Sequence, residues 1–172
     1  MTFEKYQTNA LRTLKHFDSV IENTHHCVTG LVGEFLSEVT PMLTSGLINK
    51  NNLEEELGDC LWYCANYCTI QKINFKPYKE KPNTDIILAM GELLEQTKKE
   101  KYYNKEFNIK DKTFLIQSII YFIIKIGETY NIKVEEMMKK NIQKLRIRYP
   151  DKFEEDKAIN KDEKNEKKVW EK

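Results

Sequence analysis

Leu57, Cys60, Leu61 and Cys64 recur at i, i+3, i+4 and i+7, and Cys68 carries the stripe one turn further. That spacing marks the buried face of a helix, and little in the chain would interrupt such a helix. Only 6 glycines and 4 prolines punctuate 172 residues. The pattern predicts an all-α helical bundle of six helices: residues 3–22, 24–44, 52–71, 83 or 84 to 101, 111–130 and 134–148. Pro41 should kink the second, because its ring removes a helical hydrogen bond. Asn51 or Asn52 is the expected cap of the third. The β-branched run "SIIYFIIKI" has the length and flanks of a buried helix.

Charge and composition narrow the functional classes. Lys and Arg number 28 against 27 Asp and Glu, for a net charge of +1. A chain so balanced has no long-range pull on nucleic acid. The apolar run from Phe114 is too short to span a bilayer and is broken by Gln117, Ser118 and Lys125. The N-terminus lacks an apolar signal core. These features predict a cytoplasmic protein with neither nucleic acid nor membrane as partner. The length suits one domain, residues 1–155, followed by a charged tail, 156–172, which is expected to be mobile at its end. Cys27, Cys60, Cys64 and Cys68 read as small buried hydrophobes. Their spacing fits neither a disulfide framework nor, with His25 and His26, a zinc knuckle.

The acids ask for more explanation. Glu54 and Glu55 near a helix start can complement the helix dipole. Glu56 and Asp59, at i, i+3, form with Tyr63 a second stripe beside the apolar one, and like charges there repel unless a cation sits between them. Glu34 and Glu38 lie at i, i+4 among Leu31, Val32, Phe35, Leu36 and Val39. The two pairs sit on successive helices joined by a short linker, residues 45–50. They are either two solvated helix edges or facing carboxylates around a gap, the oxygen-rich setting that Mg²⁺ prefers. The pairing of both ladders favours the second.

"GLVGEF…EV" followed by "EELGDCLWY", with "YQTNALRT" near the start and "NIQKLRIRYPDKFEEDKAINKDE" near the end, resembles the MazG-like nucleotide pyrophosphohydrolases. These are all-helical enzymes related to the dimeric dUTPases, and the likeness is to their short phage and bacterial members. The resemblance implies a bundle of MazG-like type in a bacterial or phage-infected host cytoplasm. It also implies Mg²⁺ (or Mn²⁺) held by an ExxE and an ExxD helix. The implied reaction is hydrolysis of a (deoxy)nucleoside triphosphate between the α and β phosphates, giving a monophosphate and pyrophosphate. A dUTPase-type or dGTP-selective member, and a catalytically impaired nucleotide sensor, are the alternatives. Carried onto this chain, Glu34 takes the first ExxE position, and Glu56 and Asp59 are the ExxD pair. Tyr63 lines the nucleotide pocket, and Asn141, Lys144 and Arg148 contact phosphate. Trp62, Tyr63 and Tyr6 are the aromatic surfaces available to a base, with core packing the preferred role for Trp62.

The chain departs from the pattern at Ser37, where the second ExxE acid should fall. Glu38 or Glu55 can supply the missing carboxylate, as metal ligand or as general base. So can a second hairpin. "AMGELLEQT" echoes "LVGEFLSEV" and places Glu92 and Glu95 in proper ExxE spacing, while Ser118 falls near the position of Asp59. This reads as a degenerate internal repeat, or as two similar amphipathic hairpins. A homo-oligomer, dimer or higher, is expected unless the repeat takes the place of a second subunit.

Overall fold

A computed structural model describes residues 1–171. Among them there are helices and no strand. α1 spans Phe3–Leu11, α2 Val20–Glu34, α3 Thr40–Ser45, α4 Lys50–Ile70, α5 Ile86–Tyr103, α6 Ile109–Thr129 and α7 Val134–Arg148. Two short helices follow, α8 Glu155–Ile159 and α9 Glu163–Lys167. α4 is the central rod: α1, α2, α6 and α7 all pack on it. Its buried face is the predicted stripe of Leu57, Cys60, Leu61, Cys64 and Cys68, continued upstream by Leu53. All four cysteines are free and buried. The α2–α4 and α5–α6 hairpins lie side by side, α2 on α5 and α4 on α6, so a four-helix arrangement forms within one chain. No described helix is long and apolar enough to cross a membrane.

The first expected helix, residues 3–22, is broken. α1 stops at Leu11 and α2 starts again after Ser19, whose hydroxyl accepts from Glu22 N–H at 3.1 Å. The Asn23 amide bonds both the N–H and the carbonyl of Phe17, at 3.1 and 2.8 Å, and the Ser19 carbonyl at 2.7 Å. These local bonds satisfy the backbone without a continuous helix.

Pro41 brings more than a kink. Residues Phe35–Val39 form a π turn between α2 and α3. The Thr40 N–H reaches back to the Phe35 carbonyl, five residues away, and the Thr40 hydroxyl donates to the same oxygen at 3.0 Å. Pro41 has no N–H to offer Ser37, and its ring would press on that carbonyl in a regular α-helix. The wider turn relieves this by taking in one extra residue.

The cap of α4 is Asn49, not Asn51 or Asn52: its side chain accepts from the N–H groups of both, at 3.1 and 3.2 Å. The first turn of α4 therefore holds no acid. Glu54 and Glu55 do not serve the helix dipole and are engaged by α7 instead. Within the charged tail, 156–172, α9 packs back on α7. Trp170 is 2% exposed and Glu166 3% exposed.

Candidate metal and nucleotide site

A cleft of about 690 Å³ opens between the end of α2, the π turn, α4, the last turns of α7 and the C-terminal segment. At its acidic end stand Glu34, the last residue of α2, and Glu56 and Asp59 of α4. Each offers a carboxylate oxygen, and these oxygens lie within 4.8 Å of one another. Glu38 from the π turn and Glu55 from α4 also line the cleft, outside this trio. The π turn is what carries Glu38 round. With one extra residue in this turn, Glu38 lines the cleft and Ser37 does not. The Ser37 hydroxyl donates to the Gly33 carbonyl at 2.8 Å and is occupied with its own helix.

The acids are costly to keep ionised together. Burial, then the Asp59 and Glu34 charges, push Glu56 up to about 8, against the pull of Lys144. Burial and the Asp59 charge raise Glu34 as well, although a hydrogen bond with Glu56 works the other way. Two partly buried carboxylates side by side are thus destabilised in their charged forms unless positive charge arrives. Some comes from Lys144, whose side chain is 1% exposed. Its Nζ lies 2.5 and 2.6 Å from the Asp59 oxygens and 3.2 Å from Glu55. Burial works against the Lys144 charge, but Asp59 and Glu55 outweigh it and hold its pKa above the usual lysine value.

A relay fixes Asp59 from behind. The Tyr6 hydroxyl donates to Asn141 Oδ1 at 2.8 Å, and Asn141 Nδ2 donates to Asp59 Oδ1 at 2.7 Å. Tyr6 and Asn141 are both fully buried. Neither lines the cleft, so Tyr6 offers no surface to a base and Asn141 orients an acid rather than contacting phosphate. Gly58 allows the relay to form: a Cβ there would crowd Asn141 at 3.3 Å and Trp170 at 3.4 Å.

Part of the cleft lining next to the acids is an aromatic wall. Trp62 and Tyr63 meet edge to face at 4.9 Å, and Tyr63 meets His26 at 6.0 Å. A Cβ on Gly30 would overlap the Tyr63 ring, so this wall depends on a bare backbone in α2. Trp62 has a double role: its Nε1 donates to the Ala10 carbonyl of α1 at 3.2 Å and to Thr13 Oγ1 just beyond it at 2.9 Å, while the residue also lines the cleft. Arg148 lines the cleft too, held by Glu166.

The second hairpin does not complete the site. Glu95 pairs with Lys98 and Lys99 on its own helix, and neither Glu92 nor Glu95 lines the cleft. Ser118 is buried and donates to the Phe114 carbonyl at 2.7 Å. Lys15, His26, Phe153 and Lys161 at the cleft were not foreseen. His26 comes from α2, two turns before Glu34; Lys15 comes from the α1–α2 connection and Phe153 and Lys161 from the C-terminal segment, without a recognisable spacing to the acids.

The donor set suits a hard divalent cation: carboxylate oxygens only, converging from two helices, destabilised when left to themselves. No protein-family model, curated protein or solved structure matches the chain.

Proposed function

We propose that the protein is a Mg²⁺-dependent nucleoside triphosphate pyrophosphohydrolase, releasing a nucleoside monophosphate and pyrophosphate. The observation that carries this reading is the convergence of Glu34, Glu56 and Asp59 at one end of a cleft whose other walls are aromatic and basic. The choice of the α–β bond rests on the resemblance of "GLVGEF…EV" and "EELGDCLWY" to the MazG-like enzymes.

In this reading Glu34, Glu56 and Asp59 hold the metal. Mg²⁺ bound there supplies neutralisation of the triphosphate and a bound water of lowered pKa. The chain's own groups do the rest. Asn141 and Tyr6 keep Asp59 in one rotamer. Glu38, exposed on the π turn and facing the cleft, takes the proton of the attacking water, whereas Glu55 is already paired with Lys144. Lys144 and Arg148 stabilise charge on the pyrophosphate leaving group. Trp62 and Tyr63 give the base a flat face.

The contact of Lys144 with both Asp59 oxygens favours a second reading, a catalytically impaired nucleotide-binding sensor. There the ammonium stands permanently where a cation would act. One experiment separates the two: pyrophosphate release from a panel of (deoxy)nucleoside triphosphates, with Mg²⁺ and with a chelator. The hydrolase releases pyrophosphate only with Mg²⁺. The sensor binds nucleotide and releases none.

A further inference from the structure

Arg148 and Glu166 form a side-on pair. Arg148 Nε donates to Glu166 Oε1 at 2.9 Å, and Nη2 donates to Oε2. A carboxylate gripping Nε and Nη2 leaves the Nη1 end of the guanidinium for another anion. The two residues differ in position: Arg148 lines the cleft and Glu166 does not. The Glu166 carboxylate is 4% exposed and stands behind the arginine. Its own element is too short to be stable alone, since α9 spans five residues. What fixes it is Trp170, buried against Gly58 and stacked over Lys140 and Lys144, each at 5.9 Å. The same segment finishes the cleft wall with Ala158, Ile159 and Lys161.

The geometry points to Glu166 as a positioning residue that aims the free end of Arg148 into the cleft, toward the distal phosphates of the substrate. The C-terminal segment is then part of the site. This rests on the reading of the cleft as a triphosphate site. It goes further in giving that site a residue 18 positions beyond Arg148, in a segment whose composition reads as a tail. The rival role for the same contact is a strap, in which Glu166 occupies Arg148 at the expense of the ligand.

Binding of pyrophosphate with Mg²⁺, followed by calorimetry on the full chain, tells them apart without relying on turnover. Glu166→Gln should weaken pyrophosphate binding by about tenfold, the weight of one charge-assisted contact. Arg148→Ala should weaken it at least as much, and the double variant no further than Arg148→Ala alone, because Glu166 acts only through Arg148. Glu166→Asp, which keeps the charge and shortens the arm, carries the same expectation should Glu166→Gln fail to fold. Unchanged affinity in these variants, or losses that add in the double variant, would overturn the inference. Tighter binding in Glu166→Gln would overturn it in favour of the strap. A wild-type protein that binds no pyrophosphate would sink both this and the triphosphate reading. Pyrophosphate binding with the expected pattern, but no hydrolysis of any triphosphate, would sink the hydrolase alone.

Discussion

Asp59 is both a metal ligand in the proposed site and the principal partner of a buried lysine, and the two roles have different consequences. Asp59→Ala leaves the Lys144 ammonium in the interior with Glu55 alone. Unpairing a buried charge costs about 3 kcal/mol, so this variant should melt early as well as lose any response to Mg²⁺. Glu56→Gln should do the opposite to stability. It removes a carboxylate raised by its neighbours, so the metal-free protein should melt higher at pH 8 while the Mg²⁺-dependent rise disappears. Thermal melts with and without Mg²⁺ check both. The pH dependence follows from the same group. With Glu56 raised to about 8 in the fold and near 4.5 when unfolded, the native state binds the extra proton across that window. The stabilisation is full below about pH 4.5 and is lost as pH rises through about 8. The metal-free melting temperature should therefore carry a falling component between those values, absent in Glu56→Gln and suppressed by Mg²⁺.

At the scale of elements, the sequence was legible where periodicity and burial agree and opaque where a few side chains decide. α7 occupies the expected residues 134–148, because its apolar stripe, first-turn acids and following Pro150 all say the same. The break between α1 and α2 depends on one asparagine folding back on Phe17, which no hydrophobic period reports. The π turn was foreshadowed by Pro41, and the acid at 38 rather than 37 was visible as a departure, but the geometry joining the two facts was not. It makes a testable pair. Glu38→Gln should lower the rate of hydrolysis by about 100-fold, as loss of a general base does, while Glu95→Gln should leave it unchanged. Gly30→Ala should slow hydrolysis less and mainly raise KM, by displacing Tyr63 from the aromatic wall. Steady-state kinetics on the three variants read these outcomes. A slow Glu95→Gln beside a normal Glu38→Gln would return the second hairpin to the site.

Across the whole molecule, the candidate site is built chiefly from four stretches that the sequence keeps apart: the end of α2, the start of α4, the end of α7 and the segment beyond Pro150. The first three were within reach because acids and bases recur there at helical spacing. The fourth was hidden by a composition of alternating Lys, Glu, Asp and Asn, in which Glu166 and Trp170 are buried. The proposed function requires this assembly to direct water to the α-phosphorus. Hydrolysis of a (deoxy)nucleoside triphosphate in ¹⁸O-labelled water with Mg²⁺, with mass analysis of both products, tests it most directly. The expected result is label in the nucleoside monophosphate and unlabelled, intact pyrophosphate. Label in pyrophosphate, orthophosphate as the first product, or the same products in the presence of a chelator would contradict it.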